Sequence, residues 1–283
     1  MTWQLYTIIS VLSLSSSILF QKILLSKFKS DPYAYAVVFQ GLVGVLLMTF
    51  ALLVGFRLPG IENVMVPAVI SIIAFGFGHI VYAKTLQLVE ASAFAVLFAT
   101  HAIWITLLGI LLFSEHLTIL QIIGAIIIFC SVCILVKNIK ALRPDQGTLL
   151  GLLTGLLFGI AITAWSYVGR HTDATSWAAI SFVGTSLVVF LVRPQSAKRM
   201  KMLFSSKVFL SLGTLCVLYA IGSLTMLYAY RDGSLSVITP LRQSGIIITT
   251  LLAILLIAGE RNQIKRKLGA AAFCFIGVLL MVL

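Results

Sequence analysis

The residues with the most chemical potential in this sequence are few, and they lie inside apolar stretches. Arg242 stands about two turns into an apolar run, two positions after Pro240. A guanidinium is always charged and offers a planar fork of donors, which suits a carboxylate or phosphate on a bound solute. The same side chain can instead snorkel to an interface, or bond a carbonyl that Pro240 frees by removing an N–H and crowding the preceding turn. His101 and His79 can titrate, bind a solute or bond a neighbouring helix. Gln40, Gln243 and Gln21 are neutral and bulky, equally suited to a cavity wall and to an interhelical hydrogen bond. Trp104, Trp165, Trp177, Tyr167 and Tyr219 present faces on which a ligand can stack. The candidate substrate-binding set is therefore Arg242, His101, His79, Gln40, Gln243, Trp104, Trp165 and Tyr219. Trp3, Tyr33, Tyr228 and Tyr230 fall near the ends of apolar runs, where an interfacial aromatic belt accounts for them.

The acids are placed differently. All eight, Asp31, Glu62, Glu90, Glu115, Asp145, Asp173, Asp232 and Glu260, fall at the ends of apolar runs or between them. That argues against a simple mid-membrane carboxylate relay, and gives Glu115 and Glu260 the role of capping or neutralising the N-terminus of the helix that follows each. A membrane enzyme acting on lipid phosphates would need a convergent acid/base or nucleophile set, commonly with metal-binding carboxylates. Acids confined to short connections do not supply one, so no catalytic residue is assigned. Cys130 and Cys133 make a C-x-x-C inside an apolar helix, far in sequence from Cys216 and Cys274. Buried thiols there behave as small apolar groups. No metal or other cofactor is expected.

These side chains must be positioned by elements that suit lipid. Sixty per cent of the 283 residues are hydrophobic and ten per cent charged, against roughly 45–50% and about 25% in soluble domains. Continuous apolar runs without strict alternation point to helices rather than a membrane barrel. Ten runs reach or approach the roughly 20 residues needed to cross a bilayer: Trp3–Leu25, Tyr33–Gly55, Val64–Ala83, Ser92–Phe113, Ile119–Val136, Thr148–Val168, Ser176–Val192, Val208–Tyr230, Ser236–Ala258 and Leu268–Leu283. The fold class expected is an all-α integral membrane protein with ten transmembrane helices. The first run starts at Trp3 with no Lys or Arg before it, and Lys22, Lys27 and Lys29 follow, which suits an uncleaved anchor.

Of the twenty Lys and Arg, only Arg57, Arg170 and Arg231 follow even-numbered runs, and Arg242 lies inside the ninth run; the remaining sixteen belong to the connections after odd-numbered runs. That split is the positive-inside bias rather than a nucleic-acid groove. It puts the odd-numbered connections in the cytoplasm and both termini outside, in a multi-pass protein of the cell membrane. Gly151, Gly155 and Gly159 recur every fourth residue, a spacing that lets a second helix approach closely. The facing helix can belong to this chain or to a second copy in a homodimer.

The chain also repeats itself. Ser114–Glu115 is followed by Gly124 nine residues after the acid, and Gly259–Glu260 by Gly269 at the same distance. Tyr82–Ala83 and Tyr228–Ala229 add a further near match. Two five-helix units are the simplest reading, over 1–140 and 148–283. Five is odd, so the second enters from the opposite side, and the pair makes an inverted repeat with a site at its interface.

The Gly/Ser–Glu turn with its later Gly, the Ala229–Ser236 link, and Pro240–Ser244 running on to Gly259–Arg261 together resemble the EamA-type family of the drug/metabolite transporter superfamily. The resemblance implies alternating access by a permease or exporter acting on amino acids, other metabolites, or nucleotide and sugar conjugates. The sequence departs from the family in two ways. Many members carry a cytoplasmic N-terminus, and here Ala95 and Leu97 stand opposite Pro240 and Arg242. A non-transporting scaffold or receptor is the alternative reading, and a membrane enzyme a further one.

Overall fold

The computed structural model describes residues 2–22, 24, 31–58, 60, 64–88, 91–135, 146–204, 206–256 and 264–282. The Gly259–Glu260–Arg261 segment, Lys27, Lys29, Glu62, Glu90, Lys137, Lys140, Arg143 and Asp145 lie outside them. The described residues form an all-helical bundle: α1 (Trp3–Lys22), α2 (Pro32–Val54), α3 (Met65–Leu88), α4 (Ala91–Phe113), α5 (Ile119–Leu135), α6 (Gln146–His171), α7 (Ala174–Val192), a short α8 (Ala197–Met200), α9 (Ser206–Asp232), α10 (Leu235–Leu256) and α11 (Ile264–Val282). Within them, Pro32–Val54, Met65–Leu88, Gln146–His171, Ala174–Val192 and Val208–Asp232 are long and apolar enough to cross a membrane.

Local chemistry sets the ends. Asp31 caps α2 by accepting from the N–H groups of Tyr33 and Ala34, with Pro32 in the first turn. Gly55, at φ +117°, closes the same helix by donating its N–H to the carbonyl of Ala51, a left-handed position that favours glycine. Asp173 caps α7 through the N–H and hydroxyl of Ser176. Arg193–Lys207 is the fifteen-residue connection between the apolar runs of α7 and α9. Most of it winds into short helical turns over Pro194–Ser196, Ala197–Met200 and Lys201–Phe204, with Leu203 sunk into the core.

The helices pair mainly across the two halves of the chain. α3 packs on α6 and α1 on α9; α4 packs on α6 and α1 on α10; α2 faces α7, α5 faces α11 and α4 faces α10. Exchanging α1–α5 with α6, α7, α9, α10 and α11 turns this list of pairs into itself, the relation that a duplicated unit with a two-fold axis produces.

The α4–α6 seam explains the glycine face. A Cβ at Gly151 would meet Leu97, one at Gly155 the Thr100 hydroxyl, and one at Gly159 the Cβ of Trp104. The close neighbour is thus a helix of the same chain. Large apolar side chains cover the outer surface of most helices, among them Leu53, Leu111, Ile119, Leu187 and Leu210, the face that lipid requires.

Candidate functional site

Near the middle of the bundle, α1, α2, α3, α6, α7, α9 and α10 surround a small cavity of about 40 Å³, room for roughly two ordered waters. Its wall joins an aromatic set, Phe75, Phe158, Trp165, Phe182, Tyr219 and Tyr230, to a polar one, Gln40, His79, Ser181, Thr185, Ser223 and Arg242.

Half of the polar wall is held in place by its own partners. The amide nitrogen of Gln40 lies 2.6 Å from Nε2 of His79, so an amide that donates there requires the imidazole proton on Nδ1. Phe158 meets the His79 ring edge-on, with centroids 5.0 Å apart. The Trp165 indole N–H donates to Oγ of Ser181 at 2.8 Å, and the Trp165 carbonyl accepts from the Trp177 indole. Tyr219 meets Phe39 edge-on at 4.8 Å.

Arg242 and the Tyr230 hydroxyl are not paired in this way. Arg242 has no hydrogen-bond or ion-pair partner among the described residues, and its charge acts on Tyr82, His101 and Tyr219. The Tyr230 hydroxyl is buried and makes no hydrogen bond, although the residue lines the cavity. A buried donor without a partner costs free energy; the Tyr230 hydroxyl is such a donor, and Arg242, only part-buried, lines the same cavity.

The sequence-derived set therefore divides. Gln40, His79, Trp165, Tyr219 and Arg242 line the cavity. His101 and Gln243 stand behind it as a buried pair, 3.4 Å between the Gln243 amide nitrogen and Nε2 of the imidazole, while Nδ1 of His101 bonds the Phe98 carbonyl. Trp104 lies elsewhere. Its Cβ sits against Gly159 in the α4–α6 seam, and the residue is 40% exposed on the outer surface, so it is removed from the cavity. Tyr230 is the reverse case: assigned to an interfacial belt by its place near a run's end, it is fully buried and on the cavity wall. The steps of four, three and four residues from Tyr219 to Ser223, Met226 and Tyr230 put these residues on one face of α9, which was the available signal.

Glu115 also departs from its expected role. It does not cap α5, which follows it. Its carboxylate accepts from the N–H groups of Leu235 and Ser236, both at 2.8 Å, and from the hydroxyls of Ser234 and Ser236, so it caps α10 in the other half. Arg170 at the end of α6 adds a fifth bond, 3.1 Å to Oε1. Burial acts to raise the Glu115 pKa, but the bonds from Leu235, Ser236 and Arg170 outweigh it and hold the carboxyl below its ordinary value. Among the described residues, no three His, Cys, Asp or Glu side chains converge to hold a metal ion.

Apolar helices in two cross-packed halves, with a small central cavity of mixed lining, suit a two-repeat membrane transporter. The chain matches the model of the EamA-like transporter family twice, over residues 1–137 and 145–283, and it belongs to that family. It is also similar to an uncharacterized protein of Methanocaldococcus jannaschii, 26% identical over 138 residues, which are 48% of this chain and 96% of that protein. That relative has the length of one half. A solved crystal structure shares the fold with a TM-score of 0.78 at 16% identity, covering 98% of this chain and 95% of the other.

Proposed function

We propose that the protein is a secondary carrier that moves a small solute bearing a carboxylate or phosphate by alternating access between two inverted five-helix halves, 1–140 and 148–283. The observation that carries this reading is Arg242, a cation lining the central cavity with no partner of its own among the described residues. A charge held partly out of water among apolar helices is stabilised by a counter-charge, and a solute anion supplies one. Tyr230 offers a second donor to the same ligand, and the Gln40–His79 pair and the aromatic side chains form the remaining wall.

In this reading ten helices cross the cell membrane, with the odd-numbered connections cytoplasmic and both termini outside. The positive-inside distribution supports that orientation. So does the gathering at one end of the bundle of Arg199, paired with Asp31, and of Lys84 and Arg193, each over the Tyr33 ring. Purified protein in liposomes, screened for counterflow of amino acids and sugar phosphates, tests the function. Accumulation of an anionic solute is expected; transport confined to cations or neutral solutes overturns the substrate class. A reporter fused after Leu283 tests the orientation, with activity outside the cytoplasm expected.

A further inference from the structure

The cluster around Glu115 is richer than a helix cap requires. One carboxylate takes five hydrogen bonds, four of them from Ser234, Leu235 and Ser236 at the start of α10. Arg170 does more than pair with it. Its Nε donates to the Tyr230 carbonyl and its Nη2 to the Gly233 carbonyl, both at 2.8 Å, satisfying the open C-terminal end of α9. The guanidinium also lies over the Phe113 ring, 4.3 Å from its centroid. One ion pair thus ties together the α4–α5 connection, the end of α6 and the α9–α10 link.

The backbone is shaped to allow this. Ser114 has φ +52°, a left-handed conformation that is uncommon for a residue other than glycine. It lies between the end of α4 and Glu115. On α4 itself, a Cβ at Gly109 would come within 3.1 Å of Oε2 of Glu115 and 2.9 Å of the Ser236 hydroxyl. The missing side chain at 109 makes room for the carboxylate.

Two placements turn this cluster from a cap into a closure. Glu115 belongs to the first half of the chain, whereas Arg170 and the start of α10 belong to the second, so the bonds cross between the halves. Tyr230 joins the cluster to the cavity: its side chain lines the cavity wall, and its carbonyl is held by Arg170. Halves that separate at this end must break those bonds.

We infer that Glu115 and Arg170 form a gate that closes the Tyr230 end of the central cavity. The inference rests on the reading of that cavity as the solute site. Opening toward this side withdraws Glu115 from the start of α10 and Arg170 from the α9 carbonyls; closure restores both. Glu115 and Arg170 act here as positioning residues, since neither lines the cavity.

Accessibility of a thiol inside the cavity tests the gate without a known substrate. Ser223→Cys places that thiol on the wall, in a background where Cys130, Cys133, Cys216 and Cys274 are replaced. The full chain is labelled in sealed vesicles by a small membrane-impermeant thiol reagent applied from each side. Adding Glu115→Gln is expected to raise the labelling rate about tenfold or more, the scale set by a lost charge-assisted hydrogen bond. The increase should appear only from the side that holds the α4–α5 connection. Arg170→Lys keeps the charge but cannot make the three bonds at once; it should act in the same direction and decides the matter if Glu115→Gln does not fold.

A parent-like rate in a folded variant, or an equal rise from both sides, overturns the gate and leaves a structural cap. The two readings fail separately. If a solute protects the thiol but Glu115→Gln changes nothing, the cavity stands and the gate falls. If Glu115→Gln speeds one-sided labelling but no anionic solute protects, the gate stands and the substrate class falls.

Discussion

The Glu115–Arg170 cluster and the central cavity lie one behind the other along α9, yet they treat polar groups in opposite ways. In the cluster Glu115 has five donors and Arg170 three acceptors. In the cavity Arg242 has no such partner among the described residues and the Tyr230 hydroxyl is unpaired. The contrast separates polar groups that hold a structure from polar groups that await a ligand. Fully paired groups return their desolvation cost within the fold. Unpaired buried groups do not.

The largest expected effect lies outside both regions and sets the scale for them. Gly155→Val drives a branched side chain into Thr100 and the α4 backbone, with the first added atom already against the Thr100 hydroxyl. It should cost about 3 kcal/mol or more, read as a large fall in thermal stability and yield. Next, Arg242→Ala should reduce transport of an anionic solute about 10- to 100-fold, the range for hydrogen bonds to a charged group. Its stability should hold or rise, because the lost cation had no partner. A stability loss as large as that of Gly155→Val would show that Arg242 belongs with the structural groups instead.

Glu115→Ala should behave in the reverse manner, lowering stability by about 1–3 kcal/mol. Its pH dependence follows from the lowered pKa. A depressed folded-state value means the contribution is fully present above the unfolded-state pKa and is lost as pH falls through the folded-state value. The stability difference between the parent and Glu115→Gln should therefore be flat across neutral pH and shrink only in acid below the ordinary carboxylate range. Thermal melts over a pH series check this. Smallest is Tyr230→Phe, which removes a hydroxyl with no partner. Stability should stay within about 0.5 kcal/mol of the parent, while solute affinity falls about 2- to 10-fold, the net value of one neutral hydrogen bond.

Much of this arrangement could be read before any coordinates, because it rests on local signals. Apolar runs marked the helices, and the four-residue glycine spacing marked a close seam. The Ser–Glu and Gly–Glu repeats marked the duplication. Arg242 stood out because a charge inside an apolar run is costly wherever it packs. What could not be read depends on partners remote in the chain. Glu115 reaches residues 119 to 121 positions away, so its sequence neighbours pointed to α5 as the capped helix. Arg170 looked like one of three scattered basic residues, since its acceptors lie 55 to 63 positions away. Trp104 and Tyr230 exchanged places for one reason: an aromatic residue's direction is set by the helix it faces, and apolar helices bury and expose similar surfaces.

The most direct test of the central claim is solute counterflow in liposomes containing the parent or Arg242→Ala, with thermal stability measured on the same preparations. The account predicts that the parent exchanges a carboxylate- or phosphate-bearing solute, and that Arg242→Ala remains folded while losing most of that exchange. Equal exchange of the anionic solute by both proteins would contradict it.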